Sequence, residues 1–176
     1  LKKMGYPVTV FEKEKRPGGM LMNGIPSFRL EKDVINAEID VLREMGVEFK
    51  CGVEVGEDIT IAQLREQGYK AFYIAIGAQG GRMTGVPGED AVGVETGVDF
   101  LRRVNLNEEG VKLSGKTVVI GGGNVAVDVA RTALRTGSSD VSMFCLESRD
   151  IMPAADDEVA EAEEEGIVVN NSWGPK

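Results

Sequence analysis

Lys116-Thr-Val-Val-Ile-Gly-Gly-Gly-Asn-Val-Ala-Val-Asp-Val-Ala-Arg131 decides how this chain is read. Residues 117–120 are a short apolar, β-branched run, which predicts a buried strand. Gly121, Gly123 and Ala126 follow at G-x-G-x-x-A spacing. Val125, Ala126, Val129, Ala130, Ala133 and Leu134 then recur with helical period, and Gly137 predicts the stop. A second strand is expected from Val141 to Glu147. Strand, glycine turn, helix and strand make one βαβ unit of the length a dinucleotide fingerprint needs.

The small residues each meet a mechanical need. Gly121 permits the tight turn out of the strand. Gly123, with no Cβ, lets a pyrophosphate approach the backbone, and Ala126 lets the helix pack close to the sheet. The first N–H groups of the helix, around Asn124 and Val125, point at the phosphates with the positive end of the helix dipole behind them. The same spacing also occurs as a tight turn in unrelated α/β sheets; its place inside a complete βαβ unit favours the nucleotide.

Residues 134–147 run in the order helix end, Gly137, Val141-Ser-Met-Phe144, Glu147. The N-terminus repeats that order: a helix end over residues 1–4, Gly5, then Val8-Thr-Val-Phe-Glu12. A second nucleotide-binding unit is therefore expected, its first strand and glycine loop lying upstream of Leu1. The acid that closes the second strand of such a unit accepts hydrogen bonds from ribose hydroxyls, and Glu12 stands there. Without the repeat, Glu12 would read as a solvated strand end. The chain lacks an initiator Met and stops soon after a strand-like 167–169, so it reads as an internal fragment.

Arg16-Pro-Gly-Gly-Met-Leu-Met-Asn-Gly-Ile-Pro-Ser-Phe-Arg-Leu30 predicts a structured loop without helix or strand. It either closes over a flat ligand or merely connects, and composition does not separate the two. Asp33 is expected to cap a helix reaching Met45, with Val34, Ile35, Ala37, Ile39, Leu42 and Met45 as its apolar set. Residues 47–51 and 53–55 read as strands, and a short helix from Asp58 or Thr60 ends at Gln67. Residues 70–76 form a further apolar strand closing on Gly77-Ala78, where Gly77 would face the first nucleotide. Residues 85–90 carry turn chemistry suited to a hinge, and residues 97–104 a short helix.

Bulk properties exclude several classes. The net charge of −9 over 176 residues argues against nucleic acid and anionic membrane as partners. Seven of the ten residues 156–165 are acidic, which reads as a solvated helix face. No run approaches the ~20 apolar residues of a membrane span, and no signal peptide opens the chain, so the expected compartment is the cytoplasm. With no histidine, no histidine base, nucleophile or ligand is available. Cys51 and Cys145 form no C-x-x-C; both read as buried thiols, and no metal site is expected.

With these pieces in order, the chain resembles the small subunit of glutamate synthase and its relatives, flavoproteins whose FAD domain carries an inserted pyridine-nucleotide domain. The markers are Val8-Thr-Val-Phe-Glu12, Pro17-Gly-Gly-Met-Leu21, Gly24-Ile-Pro26, Phe28-Arg-Leu30, residues 53–60, Ala75-Ile-Gly-Ala78, residues 119–131 and Met152-Pro-Ala154. The resemblance implies an α/β, Rossmann-like three-layer architecture: a partial FAD domain over 1–82, a connection over 83–115 and a partial NAD(P) domain over 116–176. It implies that Glu12 holds the FAD ribose and that Gly18, Gly19, Met20, Leu21, Val55 and Gly77 lie along the FAD. It implies that Gly121, Gly122, Gly123, Asn124 and Val125 hold the pyrophosphate of NAD(P)H. Glu158 matches a family acid near the nucleotide, or is a solvated helix carboxylate.

Where NADP-using relatives tend to carry Arg-Arg, this chain has Leu146-Glu147. A carboxylate repels a 2′-phosphate and suits a free 2′-hydroxyl, so NAD is expected over NADP, with Arg149 the nearby cation that keeps NADP open. The implied activity is hydride transfer from NAD(P)H to FAD, with electrons passing to an iron–sulfur protein or larger subunit; a homo-oligomer is compatible. No catalytic side chain is required. The rivals are a non-catalytic nucleotide-binding or assembly module and a thioredoxin-reductase-like flavoprotein, the latter weakened by the missing C-x-x-C.

Overall fold

The computed structural model describes residues 1–107 and 110–174. They fall into two compact units, Leu1–Met22 with Ser27–Ala78, and Asn23–Pro26 with the described residues of Gln79–Lys176.

In the first unit a 3-10 turn, Lys2–Met4, stops at Gly5 in the left-handed region. Then come β1 (Thr9–Glu12), α1 (Gly19–Asn23), α2 (Lys32–Glu44), β2 (Glu48–Cys51) and α3 (Ile61–Glu66). β1 and β2 pair in parallel from Thr9↔Glu48 to Glu12↔Cys51. Parallel neighbours need a crossover, and α2 supplies it. Ile35 and Ile39 on α2 bury with Met22, backed by Leu30 and Phe49. Thr60 and Gln63 cap α3 reciprocally, Gln63 N–H donating to Thr60 Oγ1 (3.2 Å) and Thr60 N–H to Gln63 Oε1 (2.8 Å).

Several expectations for this unit are corrected. The 16–30 stretch contains a helix, α1, because Met20, Leu21 and Met22 are good helix formers and Met22 has a core to enter. Asp33 does not cap α2; Glu31 holds that position, and Asp33 sits in the first turn where its charge suits the helix dipole. Of the apolar set on α2, Val34 and Leu42 are exposed. Residues 53–55 are not a strand: Val55 only bridges to Ile59 around a turn that Glu54 N–H closes on Asp58 Oδ2 (2.7 Å). Residues 70–76 are not a strand either, and Tyr73, Ile74 and Ile76 are 87%, 71% and 79% exposed. Strand propensity needs a neighbour to receive it, and no described strand pairs with this run. Cys51 is only half-buried.

The second unit is built on α4 (Gly97–Leu106), β3 (Lys116–Ile120), α5 (Asn124–Arg135), β4 (Asp140–Phe144), a 3-10 turn at Arg149–Ile151, α6 (Asp156–Glu164) and β5 (Val168–Asn170). β3, β4 and β5 lie side by side, all parallel, in register from Lys116↔Asp140 and from Ser142↔Val168. α5 and α6 are the crossovers of a βαβαβ sheet. Val127, Ala130 and Ala133 of α5 and Val159 and Ala162 of α6 bury with Val119, Val141 and Met143. α4 adds Phe100 and Leu101; a Cβ on Gly97 would lie 2.9 Å from Val129 Cγ2, so the first turn of α4 needs glycine. The helix predicted at 97–104 starts after Thr96, whose Oγ1 accepts from Asp99 N–H (3.2 Å). β3 is buried on one side only: Val119 is inside, while Val118 and Ile120 are 61% and 55% exposed. No helix among the described residues is long and apolar enough to cross a membrane.

α5 and α6 are tied near their C-terminal ends. Buried Arg131 donates to Glu161 Oε2 (2.7 Å) and Glu165 Oε1 (2.6 Å), and Arg135 donates to Glu165 Oε2 (2.6 Å). The Arg135 guanidinium foremost, with Arg131 beside it, holds the Glu165 carboxyl down to about 2, against an ordinary value of 4.5. A depressed carboxyl stabilises the fold above its unfolded value and loses that contribution as pH falls through the folded one. Unfolding free energy should therefore decline between pH 4.5 and about 2. Glu165→Gln should flatten that part of the profile and lower stability at neutral pH by about 1–3 kcal/mol, read by urea titration across pH.

Candidate functional site

The turn between β3 and α5 organises the second unit's site. Gly121 takes φ +143, and its N–H donates to Phe144 O (2.9 Å), adding one rung to the sheet. A Cβ there would lie 3.3 Å from Ala126 Cβ, so the turn and the helix meet through two small residues. At Gly122 a Cβ would stand 2.9 Å from Cys145 Cβ and 3.0 Å from Glu147 Oε2. At Gly123, the N-cap of α5, a Cβ would meet nothing within 4 Å, and no side chain caps the helix. The three glycines thus serve different ends: a turn, a close approach and an open space before the first N–H groups of α5. That open cradle at the positive end of a 12-residue helix fits a pyrophosphate.

Asn124 and Val125 begin α5. The Asn124 side chain turns to a neighbouring loop, where its Oδ1 accepts from Ala155 N–H (2.9 Å). Ala154 N–H donates to Gly122 O (3.0 Å), so residues 154–155 hold both the middle and the end of the glycine turn. Glu158 lies in the first turn of α6, directly beyond that loop. Glu147 stands three residues past the last residue of β4, with its carboxylate against Gly122. Arg149 lies 3.5 Å from Glu163 Oε2. Gly121, Gly122, Gly123, Asn124 and Glu147 therefore come together, Cys145 lies beneath them, and Val125 is exposed beside them.

In the first unit, Glu12 ends β1 and its Oε1 accepts from Glu14 N–H (2.9 Å). A carboxylate has further acceptor sites for ribose hydroxyls. Gly18 (φ +128) is close-packed, since a Cβ would lie 3.0 Å from Met22 Cβ and 3.2 Å from Ile35 Cγ2. Gly19 opens α1 at φ +52, and Met20 and Leu21 are 38% and 50% exposed while Met22 is buried. Val55 is 40% exposed in its turn. Gly77 (φ +68) has open space where a Cβ would go.

The sequence marks Asn124 for its backbone, and its side-chain contact with Ala155 carried no signal of its own. Sequence reasoning missed two further contributors. The 154–155 contact was marked only by Met152-Pro-Ala154, whose role the spacing does not disclose. The segment after β5, where Asn171 and Ser172 meet Glu147, gave none.

Comparison with known proteins supplies an independent measure. The family described as Pyridine nucleotide-disulphide oxidoreductase matches residues 1–171. The beta subunit of the NADP(+)-dependent formate dehydrogenase of Moorella thermoacetica is 45% identical over 167 residues, which are 93% of this chain and 23% of that protein. PreT, a subunit of the NAD-dependent dihydropyrimidine dehydrogenase of Escherichia coli K12, is 38% identical over 99% of this chain and 42% of its own length. The glutamate synthase [NADPH] small chain of Halomonas elongata is 40% identical over 93% of this chain and 36% of its own. The chain thus spans less than half the length of these relatives. Among solved structures, Mycobacterium tuberculosis FprA in complex with NADPH superposes with a TM-score of 0.71 at 26% identity, over 90% of this chain and 40% of that one. The thioredoxin reductase of T. acidophilum, at 14% identity and a TM-score of 0.59, shares the fold.

The close approach at Gly122 makes a sharp prediction. Gly122→Ala should lower stability by about 1–3 kcal/mol, measured by thermal unfolding, because Cys145 or the 145–147 backbone must yield. It should also abolish binding of a pyridine nucleotide, measured by titration of the full-length protein.

Proposed function

The chain belongs to the pyridine nucleotide-disulphide oxidoreductase family, and on that premise we propose that it is the cofactor-holding part of a flavin- and NAD(P)H-dependent oxidoreductase subunit. The family binds FAD together with a pyridine nucleotide. The observation that carries the reading is the turn at 121–123, open at Gly123 and closed against Glu147 at Gly122.

On this reading residues 1–82 are the FAD side, 116–176 the pyridine-nucleotide side, and 83–115 the connection; Glu108, Glu109, Pro175 and Lys176 lie outside the described residues. Glu12 binds the FAD ribose, and Gly18 to Leu21, Val55 and Gly77 run along the flavin nucleotide. Gly121 to Val125 take the pyrophosphate of the reductant, and Glu147 its adenosine ribose, with Glu158 nearby. When bound, the reduced nicotinamide supplies a hydride and the flavin accepts it. The protein's own work is to bind, orient and keep the charge balance at the phosphates, which needs no side-chain acid or base. Cys51 and Cys145 are both free thiols and form no C-x-x-C, which weighs against the thioredoxin-reductase-like alternative.

Relatives are named as beta subunits and small chains of larger oxidoreductases, which supports an electron acceptor on a partner, an iron–sulfur protein or larger subunit. Those two names carry NADP(H), whereas PreT is named for NAD. The carboxylate of Glu147 beside the glycine turn supports NADH for this chain, since a 2′-phosphate would meet a like charge there.

The full-length protein should use NADH with kcat/KM at least about tenfold above that for NADPH, the equivalent of about 1.4 kcal/mol. Anaerobic bleaching of its flavin absorbance by NADH tests the activity itself. Glu147→Arg should reverse the preference; a wild-type protein that prefers NADPH overturns the assignment of Glu147.

A further inference from the structure

Resting on the reading of Glu147 above, we propose that Asn171 is a positioning residue for nucleotide choice, acting through the main chain of Glu147. A carboxylate discriminates a ribose hydroxyl from a phosphate only if it is held in place. Glu147 lies beyond the β4 ladder, which ends at Phe144, so the sheet does not hold it. Two donors from the segment after β5 do. Glu147 O accepts from Ser172 N–H (3.0 Å) and from Asn171 Nδ2 (3.3 Å).

The same amide reaches further. Asn171 Nδ2 lies 3.2 Å from Cys145 Sγ and 3.7 Å from Met152 Sδ. Cys145 is the residue under Gly122. Met152 begins the stretch whose Ala154 and Ala155 hold Gly122 O and Asn124 Oδ1. One side chain therefore touches both segments, 145–147 and the one that Met152 begins, that border the glycine turn. Glu147 O and Met152 Sδ are acceptors only, which fixes the nitrogen, not the oxygen, toward them.

The backbone beside it is strained. Ser172 has φ +62, and it is the one non-glycine residue with positive φ among those described. A serine held there, where glycine would be easier, indicates that the surrounding contacts impose the bend. Trp173 N–H then donates to Cys145 O (2.9 Å), so residues 170–173 run alongside residues 145–147 and clamp them.

Steady-state kinetics of the full-length protein with NADH and NADPH provide the test. Asn171→Ala should raise KM for NADH about five- to tenfold and KM for NADPH far less, with the loss in KM rather than kcat, so that the NADH preference narrows. Asn171→Asp, nearly the same size but with an acceptor facing the Glu147 carbonyl, should do the same, and it serves if the alanine variant does not fold. In a Glu147→Gln background neither change should narrow the ratio further. Equal losses for both nucleotides mean a merely structural role and overturn the proposal. So does a shift that persists without the Glu147 carboxylate. A Glu147→Gln variant with an unchanged ratio overturns the reading of Glu147 itself, and this inference with it. An inert Asn171→Ala beside an active Glu147→Gln overturns the role of Asn171 alone.

Discussion

The space above Cys145 and Glu147 admits a glycine and nothing larger, and the second unit is arranged around that fact. With a Cβ at Gly122 excluded by atoms 2.9 and 3.0 Å away, the chain leaving β3 can pass directly over the end of β4. That passage sets where α5 begins, and so where its N-terminal dipole points. It also brings Gly122 O within reach of Ala154 N–H, which in turn fixes the start of α6. A turn held farther off would still be a turn, but strand end, acid and helix start would no longer share one place.

The two crossover helices of this unit divide the labour by end. Toward their C-termini, Arg131, Arg135, Glu161 and Glu165 bind α5 to α6 with charge-assisted contacts of 2.6–2.7 Å. Toward their N-termini the link runs through backbone donors, Ala155 N–H to Asn124 Oδ1 and Ala154 N–H to Gly122 O. The arrangement leaves the first turn of α5 without a side-chain cap while the rest of the helix is firmly seated. A helix anchored toward its C-terminus and uncapped at its start leaves its first N–H groups available to an anion.

Much of this was legible in the residues. The glycine spacing, the helical period from Val125 to Leu134 and the β-branched run before them determined β3, α5 and β4 because each signal is local and all agree. The errors fell where a local signal needed a partner. Residues 70–76 have strand chemistry, yet strands are made by pairs, and none of the described strands pairs with that run. Val118 and Ile120 read as buried because β-branched runs usually are; burial depends on what covers a face, which no periodicity reports. Glu147 could be picked out by its charge, although the strand expected to reach it ends at Phe144. Asn171 could not, because its contacts with Cys145, Glu147 and Met152 are made across the fold and leave no pattern along the chain.

The outer side of the β3–β4–β5 sheet has a practical consequence. Parallel sheets are ordinarily clad on both sides, but here Val118, Ile120 and Val168 face solvent, with Phe144 screened only edge-on by Trp173 at 6.0 Å. An apolar plane of this kind is a surface for association, and the net charge of −9 is what opposes it when these 176 residues stand by themselves.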